Sequence, residues 1–179
     1  MSFPRVLLLA AGHGRRAGGP KAWLPYSGKP LVEAQLDFLM TVTLPNKIAV
    51  AIQADWLDYC RDLSSKVLWV PVNPDTSPLA SLQSLIRAAR VEKSFVLHVD
   101  MPVFDPAVFA KLAAAKGDAV PSFKDKRGHP VLLTTITLLD VQRLNPEIDR
   151  LDEFLGRREI ESVPVESELI LSNLNEPAA

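Results

Sequence analysis

The chain has 179 residues, of which 47% are hydrophobic, and a formal net charge of −1. This length fits one domain with a buried core, so we expect a single domain over residues 1–179. A net charge near zero excludes the overall basic field of a nucleic-acid-binding protein. No apolar run approaches the roughly 20 residues of a membrane span, and the N-terminus lacks the basic region of a signal peptide.

The predicted partners are therefore neither nucleic acid nor a membrane, and we expect a monomer or a weak homo-oligomer. The single cysteine, Cys60, cannot form a disulfide within the chain. A chain without disulfides favours a reducing, cytoplasmic setting.

Apolar runs typical of buried strands alternate with stretches of helical periodicity through the first part of the chain. The predicted strands cover residues 5–10, 47–52, 66–72 and 94–99. The predicted helices cover residues 30–40, 56–63, 78–90 and 107–115. Ser77-Pro78 and Asp105-Pro106 are typical helix starts, a capping residue followed by proline. This alternation predicts a three-layer α/β/α, Rossmann-like fold with a mainly parallel, mixed sheet.

The pattern changes after Gly117. Residues 119–123 and 130–133 are predicted strands, and the segment 125–128 between them resembles a hairpin turn. One helical stretch is predicted over residues 138–155, followed by a last strand over 160–165.

Directly after the first strand lies a glycine loop, defined here as residues 12–21, with four of the eight glycines of the chain. Glycine lets backbone N–H groups approach a ligand closely, and basic side chains neutralise phosphate charge. The loop supplies the cations Arg15, Arg16 and Lys21. It lies at the carboxyl end of a strand, where open α/β sheets bind ligands. The sequence therefore predicts a site for the phosphates of a nucleotide.

Two other phosphate-binding motifs fit the glycine loop poorly. Residues 12–17 formally match the dinucleotide fingerprint G-x-G-x-x-[GA], but that motif needs a helix, which Gly18-Gly19-Pro20 would break. It also needs an acidic residue at the end of the second strand, where this chain has Ile52-Gln53-Ala54. The P-loop pattern G-x-x-x-x-G-K-[ST] is absent from the sequence.

The loop resembles the signature L-A-[AG]-G-x-G-x-R-x-G-x-x-K of nucleotidyltransferases with the GT-A-like fold. Close relatives with this signature are the MobA/MocA-like molybdenum cofactor guanylyl- and cytidylyltransferases. The matching residues are Leu9, Ala10, Ala11, Gly12, Gly14, Arg16, Gly18 or Gly19, and Lys21. Further segments match in family order, at residues 24–31, 73–75, 78–82, 100–102, 128–131 and 173–177. The resemblance thus covers nearly the whole chain and implies the GT-A nucleotidyltransferase fold.

The resemblance implies that a phosphate oxygen of an acceptor attacks the α-phosphorus of a nucleoside triphosphate, and pyrophosphate leaves. An acceptor phosphate is already ionised at neutral pH, so the reaction needs charge neutralisation and positioning rather than a protein base. Catalytic roles then fall to Lys21, Arg15, Arg16 and Asp100. The implied nucleotide-binding residues are Leu9, Ala10, Ala11, Gly12, Gly14, Lys21, Asn73, Pro78 and Leu79.

The implied cofactor is Mg²⁺, which in proteins often takes only one or two carboxylates besides phosphates and water. Asp100 follows the apolar run 95–99, so it should lie at the carboxyl end of a strand. The resemblance makes Asp100 the metal ligand and Asn175 a second one. Relatives often carry aspartate at the latter position and threonine where this chain has Glu176.

Several alternatives stay open at this level. Asn73 and residues 78–80 fit either a contact with the base or an ordinary helix entry. His129 fits either a contact with the acceptor or a structural role in the hairpin, and His98 fits a packed core position. The acceptor could be molybdopterin, a sugar phosphate or another phosphorylated metabolite, and the base could be that of GTP or CTP. The neutral Asn173 and Asn175 also fit a nucleotide-binding module without turnover.

Overall fold

The computed structural model describes residues 3–14 and 19–174. The strands are β1 (Arg5–Leu9), β2 (Pro25–Tyr26), β3 (Lys29–Pro30), β4 (Ile48–Gln53), β5 (Leu68–Val72), β6 (Ser94–His98), β7 (Ala119–Phe123), β8 (Lys126–Arg127), β9 (Val131–Leu133) and β10 (Glu161–Pro164). The α-helices are α1 (Leu31–Val42), α2 (Leu57–Leu63), α3 (Pro78–Ala88), α4 (Pro106–Ala113), α5 (Thr135–Val141) and α6 (Leu151–Gly156).

The main sheet has the strand order β10-β7-β9-β6-β1-β4-β5, with β8 paired to β7. β1 lies at its centre, parallel to β4 on one side and to β6 on the other. β9 runs antiparallel to both β6 and β7. The prediction of a mainly parallel, mixed sheet is confirmed, and the carboxyl ends of β1, β4 and β6 meet at one edge.

Helices cover both faces of the sheet because alternate residues of each strand point to opposite faces. From β1, Val6 and Leu8 belong to the core that includes the buried leucines of α1 and α4. Leu7 and Leu9 belong to the core under α3 and α5. The three-layer α/β/α architecture is therefore confirmed. In the described part of the chain, no helix is long and apolar enough to cross a membrane.

The two predicted helix starts are also confirmed. Ser77 Oγ accepts a hydrogen bond from the backbone N–H of Ala80 at 3.2 Å, and Pro78 opens α3. Asp105 Oδ1 accepts from the N–H of Ala107 at 2.9 Å, and Pro106 opens α4. Each cap satisfies an N–H group that the first helical turn leaves without a partner.

The predicted hairpin turn over residues 125–128 is wrong by two residues. Phe123 pairs with Lys126, so the turn consists of Lys124 and Asp125, with φ angles of 48° and 63°. Two-residue hairpin loops favour such positive φ angles because their twist matches that of the strands. Gly128 suggested the later turn. Glycine is needed there for another reason, because a Cβ atom at this position would lie 2.2 Å from the carbonyl oxygen of Ile170.

The single helix predicted over residues 138–155 is two helices, α5 and α6. Asn145-Pro146 separates them, and proline cannot continue a helix because its ring blocks the preceding turn. The side chain of Asn145 accepts a hydrogen bond from the N–H of Glu147 at 3.0 Å, which forms a local turn instead. The break allows α6 to pack beside β6 and β9, next to the site.

Candidate active site

A pocket of about 560 Å³, called the first pocket, lies where β1 and β6 end. Its walls come from the glycine loop, from the turn before α3 and from the end of β6. Its lining includes seven of the residues predicted to bind or process a nucleotide: Leu9, Ala11, Gly12, Gly14, Lys21, Pro78 and Asp100.

The glycine loop is closed upon itself at Gly14 and Gly19. The N–H of Gly19 donates to the carbonyl oxygen of Gly14 at 3.3 Å. Gly14 has a φ of +59°, and a Cβ atom there would lie 1.8 Å from the carbonyl oxygen of Gly19. Only glycine fits this position, since the conformation and the close approach both exclude a side chain.

Two buried glutamines hold the backbone on either side of the first pocket. Gln53, the last residue of β4, donates from Nε2 to the carbonyl oxygen of Ala11 at 3.0 Å. Gln35 of α1 donates from Nε2 to the carbonyl oxygen of Val99, which directly precedes Asp100. The sequence motifs missed both residues. A glutamine ending an otherwise apolar strand was the signal that could have revealed Gln53.

Lys21 and Asp100 meet inside the first pocket. Lys21 Nζ lies 2.5 Å from Asp100 Oδ2, and the side chains are 23% and 16% exposed. These residues are 79 positions apart in the chain, so the fold brings together a cation and an anion that the motifs assigned to one reaction. Charge-assisted hydrogen bonds in such a half-buried place are stronger than those between neutral groups.

A side-chain hydrogen bond links two walls of the first pocket. His13 Nε2 lies 2.9 Å from Asp75 Oδ1, and both residues line the pocket. The contact joins the glycine loop to the turn after β5. The motif treated His13 as a variable position, so the sequence did not predict this link.

Three predicted nucleotide-binding residues lie apart from the lining of the first pocket. Ala10 is buried, and its N–H donates to the carbonyl oxygen of Ala51 at 2.9 Å. Asn73 lines a smaller neighbouring cavity, and its Oδ1 accepts from the N–H of Asp75 at 2.9 Å. Leu79 is a buried residue of the core under α3. Arg15, Arg16 and Asn175 lie outside the described residues.

Asp100 is also held from the C-terminal segment. The N–H of Leu174 donates to the carbonyl oxygen of Asp100 at 2.7 Å. Within residues 3–14 and 19–174, no group of three or more acidic, histidine or cysteine side chains could hold a metal ion. The Asp100 carboxylate in a pocket fits Mg²⁺ nevertheless, because this ion takes few protein ligands when phosphates complete its shell.

A second pocket of about 590 Å³ adjoins the first, and Pro78 and His98 line both. The expectation of a packed core position for His98 is therefore wrong, because this residue is only partly buried and lines both cavities. His129 also lines the second pocket, and the two imidazole rings lie 6.0 Å apart. Burial lowers the pKa of His98, and burial together with His98 lowers the pKa of His129 to about 4. Both shifts favour the neutral form of the imidazole ring.

The fold and the pocket define a nucleotidyltransferase-like domain, with a glycine loop and an opposing carboxylate at the carboxyl edge of a mixed sheet. The model of the MobA-like NTP transferase domain matches residues 6–163. The chain therefore belongs to this family.

Two curated relatives show the range of the family. A molybdenum cofactor guanylyltransferase of Xanthomonas euvesicatoria pv. vesicatoria is 29% identical over 121 residues, which is 67% of this chain and 59% of that protein. A ribitol-5-phosphate cytidylyltransferase of Streptococcus agalactiae is 26% identical over 166 residues, covering 84% of this chain and 67% of the relative. The chain thus spans less than two thirds of the guanylyltransferase that it matches.

Among solved structures, that of Rv0371C of Mycobacterium tuberculosis H37Rv in complex with manganese is similar to this chain. The TM-score is 0.70 with 20% sequence identity, and the match covers 93% of this chain and 90% of the other. At this identity the likeness shows the fold, which is the GT-A-like fold that the motifs implied.

Proposed function

We propose that this protein is a Mg²⁺-dependent nucleotidyltransferase that moves a nucleoside monophosphate from GTP or CTP to a phosphorylated acceptor, releasing pyrophosphate. The observation that carries the proposal is the pair of Lys21 and Asp100, 2.5 Å apart in a pocket lined by the glycine loop. We further propose molybdopterin as the acceptor, in the biosynthesis of the molybdenum cofactor, as the name of the Xanthomonas relative suggests.

The reaction joins an acceptor phosphate oxygen to the α-phosphorus and breaks the bond from that phosphorus to the pyrophosphate oxygen. No proton must be removed from an ionised acceptor phosphate, so the reaction needs no protein base. Lys21 would neutralise charge on the triphosphate and then on the departing pyrophosphate. The backbone of residues 11–14 would lie against the nucleotide, where glycine allows close approach.

Asp100 would hold Mg²⁺, which supplies charge neutralisation to the phosphate oxygens. Gln35 and Leu174 position Asp100 through the backbone, since they hydrogen-bond to the carbonyl oxygens of Val99 and of Asp100 itself. Arg15 and Arg16 are proposed to bind phosphate and Asn175 to complete the metal site, because the motifs place them there. Asn73 and Leu79 remain predictions for contacts with the base.

A sugar phosphate is the second candidate acceptor, favoured by the Streptococcus relative, which matches 84% of this chain. The chemistry at Lys21 and Asp100 would be the same with either acceptor, so the first pocket does not separate the two. Turnover with each acceptor separates the two candidates.

The test is to incubate the protein with each of GTP, CTP, ATP and UTP, with Mg²⁺, and with molybdopterin or ribitol 5-phosphate. Pyrophosphate release is measured, together with nucleotide binding in the absence of acceptor. We expect release with GTP or CTP and molybdopterin. Release with ribitol 5-phosphate alone would establish the second candidate instead. If nucleotide binds but no acceptor gives pyrophosphate release, both candidate acceptors are refuted and the protein is a nucleotide-binding module.

A further inference from the structure

A cavity of about 450 Å³ lies at the edge of the sheet where β1, β4 and β6 begin, opposite to the first pocket. We call it the amino-edge cavity, and its lining residues are Arg5, Asn46, Lys47, Arg90, Val91 and Glu92. β1 runs from Arg5 in this cavity to Leu9 in the first pocket. The two ends of this strand are roughly 13 Å apart, since a strand rises about 3.3 Å per residue. The amino-edge cavity is therefore separate from the proposed reaction centre.

The lining of the amino-edge cavity carries more positive than negative charge. Among the described residues that line it, Glu92 alone is acidic, and it pairs with two cations. Its Oε1 lies 3.1 Å from Arg5 Nη2, and its Oε2 lies 2.7 Å from Lys47 Nζ. Burial would raise the pKa of Glu92, but Lys47 and Arg5 together lower it, so the carboxylate is ionised at pH 7. Three cations and one carboxylate leave two positive charges here, although the whole chain has a net charge of −1.

Arg5 is a buried guanidinium whose hydrogen bonds are incomplete. Its side chain is 10% exposed. Nη1 donates to the carbonyl oxygen of Asn46 at 3.1 Å, and Nη2 faces Glu92. Within residues 3–14 and 19–174, Nε is buried and has no acceptor. A buried donor without an acceptor is unusual in a folded protein. It points to an acceptor that a ligand would supply after a small shift of the side chain.

Arg90 is the exposed cation of the cavity. In the part of the chain that the structure describes, its guanidinium forms no ion pair. The end of α3 does not explain this residue, because Arg87 in the last turn already complements the partial negative charge there. A guanidinium can hold two oxygens of one phosphate group at once. Arg90 is thus available to a ligand from solvent.

The charge of the cavity selects among possible anions. A carboxylate carries a single charge and would match only one of the two positive charges. A phosphate group carries nearly two negative charges at neutral pH. Val91 is the one apolar residue among the described lining residues, so the cavity favours a small ligand over one with a large apolar body.

We propose that the amino-edge cavity binds a small phosphate-bearing anion, held by Lys47 and Arg90 together with the buried Arg5. Glu92 fixes Arg5 and Lys47 in place before the anion arrives. The site takes no part in the proposed nucleotidyl transfer, and neither proposal depends on the other.

Nuclear magnetic resonance of the isotope-labelled full chain can locate the anion residue by residue. Orthophosphate is titrated in one series and glycerol 3-phosphate in another, each against sodium chloride at equal ionic strength and pH. We expect saturable shifts of the backbone amides of Asn46, Val91 and Glu92 in the millimolar range. The series that saturates at the lower concentration tells whether the ligand is free phosphate or a monoester. Shifts at Gly12 and Gly14 report phosphate in the first pocket separately.

Two results of these titrations would overturn the proposal. One is the lack of saturable shifts at the amino-edge cavity in both series. The other is an equal response to chloride, which would show that the cavity responds only to ionic strength.

Substitutions test which cations hold the anion. Arg90→Gln removes an exposed charge without breaking an ion pair, so the fold should stay intact and phosphate should bind about tenfold more weakly. Lys47→Gln should weaken binding to a similar extent. Arg90→Lys should recover part of the affinity, because it restores the charge but not the paired hydrogen bonds of a guanidinium.

Arg87→Gln is the matched control. It changes the net charge of the chain as Arg90→Gln does, and Arg87 is exposed in the last turn of α3 but does not line the cavity. Phosphate affinity should change less than twofold in this variant. Equal affinity in the wild-type protein and Arg90→Gln, or equal weakening in Arg87→Gln and Arg90→Gln, would refute the site.

Discussion

The first pocket is lined by the segments that follow β1, β5 and β6, whereas the second is lined mainly by residues of β6, β9 and α6 and of the segment before α6. In the first, buried glutamines and a closed glycine loop fix carbonyl and N–H groups in place. In the second, apolar side chains lie beside two histidines, His98 and His129, and the ion pair of Arg150 and Asp152. The difference teaches that a backbone fixed by hydrogen bonds suits the proposed role of the first pocket in binding phosphates, whereas a cavity lined by apolar side chains can be reshaped by single substitutions.

The largest effect is expected at the carboxylate of the first pocket. Asp100→Asn keeps the size of the side chain but removes its charge, so the turnover rate should fall roughly 10²–10³-fold, as for other lost transition-state contacts. Single-turnover pyrophosphate release would measure it. Circular dichroism should show an intact fold, and a rate within threefold of wild type would contradict the assignment.

Substitution of Lys21, the partner of Asp100, should change the affinities for nucleotide and for metal in opposite directions. Lys21→Met removes a charged hydrogen bond to phosphate, so nucleotide binding should weaken about 10- to 100-fold. Without nucleotide, Mn²⁺ should bind several-fold more tightly, because no ammonium group competes for the carboxylate. Calorimetry measures the first effect and electron paramagnetic resonance the second. Weaker Mn²⁺ binding would show that Lys21 does not compete with a cation.

The glycine loop allows a matched pair of substitutions that tests its rigidity. Gly14→Ala should destabilise the fold by about 1–3 kcal/mol, because its backbone conformation and its contact with Gly19 exclude a side chain. At Gly12 no atom lies within 4 Å of an added Cβ, so Gly12→Ala should change stability by less than about 0.5 kcal/mol. Urea unfolding compares the two variants. Equal losses would contradict the closed geometry of the loop.

The last effect concerns pH and belongs to the second pocket. The pKa of His129 is about 4 in the folded protein, below the roughly 6.5 of an unfolded chain. Between these values the unfolded state binds more protons, so the free energy of unfolding falls as pH drops from 6.5 to 4. Between pH 7.5 and pH 5, His129→Leu should lose about 2 kcal/mol less than wild type in urea unfolding. Parallel losses would show that His129 is not buried in its neutral form.

The sequence predicted the first pocket better than the second because the signals for the first are local. Leu9 ends one strand, residues 10–14 and Lys21 follow it, and Asp100 follows another strand, so parallel pairing alone brings them to the same edge. The contacts of Gln35 and Gln53 depend on where α1 and β4 pack in three dimensions, which no short motif contains.

The second pocket depends on features that the sequence did not specify locally. Its floor requires β9 to insert between β6 and β7, and its wall requires the chain to break at Asn145-Pro146 so that α6 turns back. The single helix that the sequence predicted over residues 138–155 could not have formed that wall. The sequence did not reveal the close packing of Gly128 for a similar reason, since Ile170, which it contacts, lies 42 residues further along the chain.

One short stretch near the C-terminus contacts both halves of the site. Ile170 accepts the N–H of His129, and four residues later the N–H of Leu174 donates to Asp100. A protease that cleaved between these two residues would leave every lining side chain in the sequence, yet it would sever the covalent link between the two contacts. The stretch is thus a point of vulnerability for both pockets at once, and its cleavage should disturb both of them without unfolding the sheet.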